Sequence, residues 1–465
     1  WDKEDKRLFA ARDRLGIKPF YYADVDETLV FGSEIKAVLR SRRVAASVDY
    51  EALCDYLTFM YVPAPKSIFR QIRKLPAGHY LQYDRNGLAI RKYWDVDFSG
   101  TGDLDQRDYI DNLNAIIDDS VRMRMISEVP LGAFLSGGID SSMVVATMKG
   151  VSGRPVKTNS VGFNEAAFDE LDYARETSRL FGTEHHEYTV DMDSSRVLDL
   201  LAWHYDEPFA DSSALPTYHV SRMTRQNVTV ALSGDGGDEN FAGYRRYYFD
   251  ALENRLRSRI PRSLRRTGFA ALAAMYPKAD WLPRWMRAKT LLTNLSLDPV
   301  DGYLNSMSHF LPSMRRRLFN GEMTRRLSGY DPFDTFRAHY ANAHTDDPLS
   351  RIQYLDIKTY LVDDILTKVD RASMAVSLEV RVPLLDHELV EFAATVPSRY
   401  KLRGGTGKYL LKKAAARVLP ESVINRTKRG FSIPVDQWFR GKLREPFRTD
   451  VLLSGNRSGA VFDME

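Results

Sequence analysis

The spacing of apolar and polar positions changes about a hundred residues into the chain. Before that point, short runs of alternating apolar residues predict β-strands, and Asn86-Gly87 lies between two such runs, which is a strong hairpin signal. The polar, glycine-bearing segment 95–106 predicts a domain boundary, so we expect a β-rich unit over 1–98 and a second unit over 105–465. The predicted elements of the first unit are three strands within 7–32, a hairpin over 75–94, and short helices over 33–40 and 50–60.

The second unit shows a different pattern, in which strands and helices alternate. Apolar residues at three- and four-residue intervals predict a helix over 107–125, and the apolar run VPLGAFL predicts a buried strand after it. Further strands are predicted at 157–163, 185–190 and 227–234, with helical segments between them, and the chain is mainly helical from about 245 onward. Such alternation is typical of a parallel sheet with helices on its faces, so the predicted fold class is α/β.

Composition and charge exclude several classes of function. The 465 residues include 66 basic and 62 acidic side chains, a formal charge of +4, which gives no overall attraction to nucleic acid or to a membrane. The basic tracts 255–266 and 314–319 are therefore interpreted as solvated helix faces. No apolar run approaches the roughly 20 residues that cross a bilayer. The single cysteine, Cys54, excludes an internal disulfide and a cysteine-rich metal site, and it fits a cytoplasmic location.

The apolar run VPLGAFL leads directly into SGGIDSS, residues 136–142, which we call the serine loop. Gly137 and Gly138 allow a sharp turn and a close approach of the backbone to a ligand. The following helix presents its amide groups, and three serines add hydroxyl donors, so the loop is suited to phosphate oxygens. Asp140 would repel a bare phosphate, which indicates a bridging Mg²⁺. The structural alternative is a glycine turn that caps a helix.

A second loop, SGDGGDE at residues 233–239, follows the predicted strand VTVAL, and we call it the acidic loop. Its carboxylates repel one another unless a cation or a basic partner is present, the simpler alternative being a solvated acidic turn. Because ligands collect at the carboxyl ends of parallel strands, both loops are expected at one edge of the sheet. A metal-bound polyphosphate between them would account for both.

These motifs resemble a known family. SGGIDSS resembles the pyrophosphate-binding loop of the N-type (PP-loop) ATP pyrophosphatases, and SGDGGDE together with LTKVDRASMAVSLEVRVPLLDHELVEFA (366–393) is similar to glutamine-dependent asparagine synthetases of the bacterial B type. The stretches DEPFADSSALPTYHVS (206–221) and NRTKRGFSIPV (425–435) are also similar to that branch. The opening WDKEDKRLFAARDRLGIKPFYY resembles the closing part of the family's glutaminase domain.

The resemblance implies that ATP activates aspartate as β-aspartyl-AMP, that ammonia then yields asparagine, and that Mg²⁺ takes part. It implies Mg²⁺ ligation by Asp140 and Asp238, support of acyl-adenylate formation and action on ammonia by Asp235, and charge stabilisation by Lys428, whose alternative is a solvated lysine. Arg381 is a candidate for the acceptor's α-carboxylate, although an ion-paired structural segment is an equal alternative. The implied ATP and pyrophosphate contacts are Phe134, Leu135, Ser136, Gly137, Gly138, Asp140, Ser141, Ser142, Val161, Ser233 and Gly234.

The sequence also departs from the family's pattern. The family's glutaminase nucleophile is an amino-terminal cysteine, whereas residue 1 here is Trp and Cys54 lies in a helical pattern. We therefore expect a fragment without glutamine hydrolysis, which takes its nitrogen from ammonia. The expected partners are small molecules (aspartate, ATP, ammonia or glutamine), with no nucleic acid and no membrane, and a homodimer stays open. The rival interpretations are a sister amidotransferase for another carboxylate, such as a β-lactam synthetase or a polysaccharide amidotransferase, a tRNA-thiolating enzyme, and an inactive ATP-binding remnant.

Overall fold

The structure is a computed structural model, and it describes residues 1–163, 171–190, 195–277, 288–426, 435–441, 443–453, 459 and 461–463. Its strands are β1 (Leu8–Ala11), β2 (Tyr21–Val25), β3 (Thr28–Gly32), β4 (Arg73–Lys74), β5 (His79–Asp84), β6 (Gly87–Lys92), β7 (Leu131–Phe134), β8 (Lys157–Phe163), β9 (Glu184–Val190), β10 (Val230–Leu232) and β11 (Glu379–Arg381).

Helices make up most of the remaining secondary structure. The first half contains α1 (Ile35–Arg40), α2 (Tyr50–Phe59), α3 (Gln106–Arg124), α4 (Ile139–Ser152), α5 (Leu171–Phe181), α6 (Ser195–Tyr205), α7 (Ala214–Thr224), α8 (Gly237–Asn240), α9 (Arg245–Arg257), α10 (Arg262–Leu264), α11 (Ala270–Met275) and α12 (Lys289–Ser296). The second half contains α13 (Pro299–Met307), α14 (Pro312–Leu318), α15 (Gly321–Arg326), α16 (Phe333–Ala341), α17 (Pro348–Lys358), α18 (Thr367–Met374), α19 (His387–Thr395), α20 (Ser398–Lys401), α21 (Tyr409–Ala415), α22 (Glu421–Ile424), α23 (Val435–Arg440) and α24 (Arg444–Phe447). Segments of π-helix cover Arg265–Phe269, Leu361–Leu366 and Arg448–Leu453, and a 3₁₀ turn covers Pro383–Leu385. No described helix has the length and apolar character needed to span a membrane.

The amino-terminal region contains two antiparallel sheets, in the orders β1-β5-β6 and β3-β2-β4. The predicted hairpin is confirmed, but its turn differs from the expected one. Asp84 pairs with Gly87, so Arg85 and Asn86 are the two central residues of the turn. Neither of them has a positive φ, whereas Gly87, the first residue of β6, has a φ of 93°. A type I′ turn would need positive φ at both central residues, so Gly87 instead closes the hairpin at the start of β6.

The larger sheet is parallel, in the order β11-β10-β7-β8-β9, which confirms the α/β prediction. β7 leads to β8 on one side of the sheet and pairs with β10 on the other side, where Leu232 lies opposite Ala133. The direction of the strand order therefore reverses between β7 and β10. Ligands of open α/β sheets bind at such a switch point, and both predicted loops begin there.

The core around this sheet follows the helical period that the sequence predicted. Tyr109, Leu113, Ile117 and Val121 recur every four residues along α3, and all are fully buried. They pack with apolar residues of α4, α19 and α21 in one cluster. The serine loop therefore lies between the strand β7 and the helix α4, and the packing of α4 in this cluster fixes the direction of that helix.

The amino-terminal region packs directly against the carboxyl-terminal helices. The buried side chains of Val96 and Phe98 lie in a cluster with residues of α17 and of the π-helical segment after it. Phe59 and Tyr61 lie in a second cluster with apolar residues of α9, α16 and α17. The polar segment predicted as a boundary therefore begins with residues buried between the two regions.

Candidate active site

The serine loop connects β7 to α4 and is held by its own hydroxyl groups. Ser136 Oγ lies 3.0 Å from Ser141 Oγ, and the Gly138 amide donates to Ser136 Oγ at 3.3 Å. Gly137 has a φ of 69°, and a β-carbon there would overlap the backbone of Tyr173 in α5. The loop is thus pressed against a neighbouring helix, and glycine is required by both its conformation and its surroundings.

The serines of this loop do not all have the same environment. Ser136 and Ser141 line a cavity at the edge of the sheet. Ser142 is fully buried and its Oγ lies 3.3 Å from Thr177 Oγ1 of α5, so its hydroxyl faces the helix and not the cavity. Gly137 and Gly138 are also not among the described residues that line the cavity.

The acidic loop follows β10 and lies against the serine loop. A β-carbon on Gly234 would be 2.7 Å from the Ser141 amide nitrogen, and one on Gly237 would overlap the Asp140 carboxylate. Real β-carbons do not approach other heavy atoms so closely. The two loops are therefore in backbone contact, as the sequence predicted from their common position at strand ends.

A lysine that the sequence analysis missed joins the carboxylates of the two loops. Lys408, immediately before α21, is buried, and its ammonium contacts the carboxylate of Asp140 and lies 3.0 Å from Asp238 Oδ1. Burial alone would lower the pKa of Lys408, but the two carboxylates outweigh it and raise the pKa, so the side chain is charged. The glycine-rich stretch GGTGK was the available signal, since Gly407 fits against the backbone of Ala242 just beyond the acidic loop.

The remaining acids of the acidic loop are the half-buried Asp235 and the fully buried Glu239, and both accept hydrogen bonds. The Ser233 hydroxyl donates to Asp235, and the Tyr244 hydroxyl donates to Glu239 Oε1 at 2.6 Å. Burial raises the pKa of Asp235, while the hydrogen bond from Ser233 opposes that shift. Burial and the charge of Asp238 raise the pKa of Glu239 to about 7. These carboxyl groups are thus adjusted toward the range in which they can exchange protons near neutral pH.

Both loops open into one cavity of about 480 Å³. Ten of the predicted site residues line it: Phe134, Leu135, Ser136, Asp140, Ser141, Val161, Ser233, Gly234, Asp235 and Asp238. Val161 lies at the carboxyl end of β8, next to the strand that carries the serine loop. The cavity is of the size that small-molecule ligands occupy in proteins.

Another wall of the cavity carries an ion pair that the sequence analysis did not predict. Lys368 Nζ of α18 lies 2.7 Å from Asp211 Oδ2, and the Ser213 amide donates to the same carboxylate at 2.8 Å. Burial alone would raise the pKa of Asp211, but Lys368 outweighs it and lowers the pKa to about 2. Among the described residues that line the cavity, Lys368 is the only basic one.

The structure does not bring Arg381 into the cavity. Its guanidinium pairs with Glu379 at 2.7 Å and donates to the backbone carbonyls of Arg124 and Ile126. Arg381 therefore matches the structural alternative, in which the segment is ion-paired. The two carbonyls belong to the last residue of α3 and to the segment just after it, so the guanidinium is held at the carboxyl end of that helix. Lys428 lies outside the residues that the structure describes.

Asp140 and Asp238 fit the predicted Mg²⁺ site. No group of three or more histidine, cysteine or acidic side chains forms a metal cluster in the described ranges. Two carboxylates that already share one cation, at the mouth of a hydroxyl-lined loop, form the usual protein contribution to Mg²⁺, which takes its other ligands from phosphate and water.

Two glycine-bearing loops, one with hydroxyls and one with carboxylates, meet at the switch point of a parallel sheet, an arrangement typical of α/β enzymes that bind phosphate groups. The family models agree with this geometry: residues 112–465 match "Asparagine synthase" and residues 1–94 match "Glutamine amidotransferase domain". The chain belongs to the asparagine synthase family, and it is thus a carbon–nitrogen ligase that carries out ATP-dependent amidation.

Several relatives are similar along most of the chain. Asparagine synthetase [glutamine-hydrolyzing] 1 of Bacillus subtilis is 34% identical over 97% of this chain and 69% of its own length. A putative asparagine synthetase of Mycobacterium tuberculosis is 35% identical over 96% of this chain and 68% of its own length. A solved structure, NMN synthetase from Francisella tularensis, matches 30% of this chain and 59% of its own at 19% identity and a TM-score of 0.22, which is too partial to bear on the fold.

Proposed function

We propose that this protein converts aspartate to asparagine through β-aspartyl-AMP, with release of AMP and pyrophosphate, and that this chain uses ammonia as its nitrogen source. The observation that carries the proposal is the backbone contact of the serine loop and the acidic loop, with Asp140 and Asp238 on one cation. That arrangement supports binding of a triphosphate whose β- and γ-phosphates leave together.

In the first step, the β-carboxylate of aspartate attacks the α-phosphorus of ATP, and the bond between the α-phosphorus and the bridging oxygen breaks to release pyrophosphate. The hydroxyls of Ser136 and Ser141 would donate to the departing phosphate oxygens, since both line the cavity at the end of β7. Asp140 and Asp238 would hold Mg²⁺, which neutralises phosphate charge when it is bound. Lys428 stays a candidate for stabilising charge on the α-phosphate.

In the second step, ammonia attacks the acyl carbon, the bond to the AMP oxygen breaks, and the nitrogen loses a proton. Asp235 would accept that proton, because it lines the cavity and its pKa is raised by burial. Glu239 is buried, lines the same cavity and would relay the proton, since burial and the charge of Asp238 raise its pKa to about 7.

The acceptor's head group would bind at the ion pair of Asp211 and Lys368. The α-carboxylate of aspartate needs a cation, and Lys368 supplies one in the cavity, whereas the guanidinium of Arg381 is committed elsewhere. Asp211, whose pKa is lowered to about 2, would remain charged and attract the α-ammonium group. This ion pair replaces Arg381 in the proposed acceptor site.

The test is pyrophosphate release from ATP and Mg²⁺ with ammonium chloride, across a panel of carboxylic acids that includes aspartate. Release that depends on aspartate, with AMP and asparagine formed in equal amounts, supports the proposal. Release with another acid and none with aspartate would assign the chain to a sister amidotransferase. A parallel reaction with glutamine in place of ammonium tests the nitrogen source, and Asp235→Asn serves as the inactive control.

A further inference from the structure

A buried lysine of the amino-terminal region joins two segments of the region that matches the asparagine synthase family, residues 112–465, which we call the synthetase region. Lys74 of β4 places its Nζ 2.7 Å from Glu207 Oε1, 3.8 Å from Asp363 Oδ1 and 2.5 Å from the Val62 carbonyl. All three side chains of this cluster are at most 7% exposed. Burial alone would lower the pKa of Lys74, but Glu207 and Asp363 outweigh it and raise the pKa, so the lysine is charged.

Each carboxylate of this cluster also accepts a backbone hydrogen bond from the amino-terminal region. The Ile68 amide donates to Glu207 Oε2 at 3.0 Å, and the Ala64 amide donates to Asp363 Oδ2 at 2.7 Å. Neither carboxylate lines the cavity. The cluster therefore fixes the two synthetase segments relative to residues 62–74.

The same two segments continue into the wall of the cavity. Asp211 follows Glu207 by four residues, and Lys368 follows Asp363 by five, with Asp211 and Lys368 2.7 Å apart. The helical stretch from Asp363 to Asp370 is anchored at both ends, since Asp370 pairs with Lys18 at 2.8 Å. Within it, Ile365, Lys368 and Val369 face the cavity.

We propose that Lys74 is a positioning residue for the acceptor site: by holding Glu207 and Asp363 together, it sets the placement of Asp211 and Lys368 in the cavity wall. This inference rests on the proposed function in assigning the ion pair to the acceptor. It makes the amino-terminal region a structural part of the synthetase site, independently of any reaction of its own. Lys74 itself touches no reactant.

The test compares the wild type with Lys74→Met and with the triple variant K74M/E207Q/D363N. The single variant leaves two buried carboxylates without a cation and is expected to unfold more easily. The triple variant keeps acceptors for the Ile68 and Ala64 amides, but it lacks the ionic link. Lys92→Met is the matched control, because Lys92 pairs with Asp95 on an exposed strand of the same region.

We expect the triple variant to raise KM for the acceptor about tenfold, with KM for ATP within about twofold of the wild type, since the loops that hold phosphate do not contact the cluster. We also expect faster hydrogen exchange in 207–213 and 363–369, and no change in 233–239. A folded triple variant with unchanged acceptor KM and unchanged exchange would overturn the inference. If the wild type releases no pyrophosphate with aspartate, the proposed function fails, while the exchange experiment still reports whether Lys74 positions these segments.

Discussion

Two lysines seven residues apart, Lys401 and Lys408, occupy opposite kinds of buried site. Lys408 is surrounded by the carboxylates of Asp140 and Asp238, which raise its pKa. Lys401 is fully buried, donates to Gln353 Oε1 at 3.0 Å and lies 5.1 Å from the centre of the Phe98 ring. Burial lowers the pKa of Lys401 to about 7. The partners of a buried amine, and not its depth, therefore decide whether it is charged.

The difference also distinguishes the functional edge of the sheet from the packing around it. Around Lys401, the partners of the amine are an amide oxygen and an aromatic ring. Lys401 is connected to the backbone of the acidic loop through Gln353, which donates to the carbonyls of Glu239 and Asn240. Around Lys408, two carboxylates share one ammonium, so the group carries a net negative charge. A site that already stabilises one buried cation is suited to a second one that arrives with a polyphosphate.

The largest expected effect comes from removing the charged lysine. Lys408→Met leaves the half-buried carboxylates of Asp140 and Asp238 without the buried cation between them, which costs about 3 kcal/mol of unfolding free energy. Thermal and urea unfolding measure the loss, and pyrophosphate release should disappear with it. Lys413→Met, at an exposed position of the same helix, is the control. Equal stabilities of the two variants would show that Lys408 is not the cation that holds the loops together.

Substituting Asp238, one of the two partners of Lys408, should lower the rate of the reaction more than it lowers stability. Asp238→Asn leaves Lys408 with Asp140, so we expect a stability loss of about 1–3 kcal/mol, but a fall in pyrophosphate release of about a hundredfold or more. The double variant D238N/K408M should lose less stability than the sum of the single losses, because the pair is coupled. Strict additivity would contradict the coupling.

Lys401 should make the stability of the protein depend on pH between 7 and 10.5. Because the pKa of Lys401 is about 7 in the folded protein, against an ordinary value of 10.5, the unfolded chain binds the extra proton between these values. The free energy of unfolding should therefore rise with pH from 7 to 10.5. Lys401→Met should gain on the order of 1 kcal/mol at pH 7, and the gain should shrink as pH rises. Urea midpoints from pH 7 to 10 measure this; a variant destabilised equally at every pH would refute it.

Substitution of Arg381 is expected to have the smallest effect on the kinetics, because the partners of this cation lie outside the cavity. Arg381→Met should leave KM for the acceptor within about twofold of the wild type, because the guanidinium contacts Glu379 and two backbone carbonyls. Steady-state kinetics with varied aspartate provide the measurement, with Lys368→Met as the comparison that should raise KM. A selective rise of acceptor KM in the Arg381 variant would return that residue to the acceptor site.

Local sequence patterns predicted the fold and the two loops better than they predicted the other residues of the site. The strand over 157–163 has its predicted limits, because Gly153 and Pro155 end the preceding helix just before it. Lys408 was missed because it lies 268 residues from Asp140, in a mainly helical region where no periodic pattern marks a contact. The pairing of Asp211 with Lys368 was missed for the same reason, because the two residues lie far apart in the sequence. For Arg381, residue type predicted a carboxylate partner but not the direction of the side chain.

The contact between Gly234 and Ser141 limits how this enzyme can be redesigned. There is no room for a methyl group between the two loops, so this edge of the cavity cannot be widened by substitution at the glycines. A library for amidation of other carboxylic acids should keep Gly234 and Gly237 constant. Diversity belongs instead around Asp211 and Lys368, on another wall of the cavity, where substitution leaves the contact between the two loops intact.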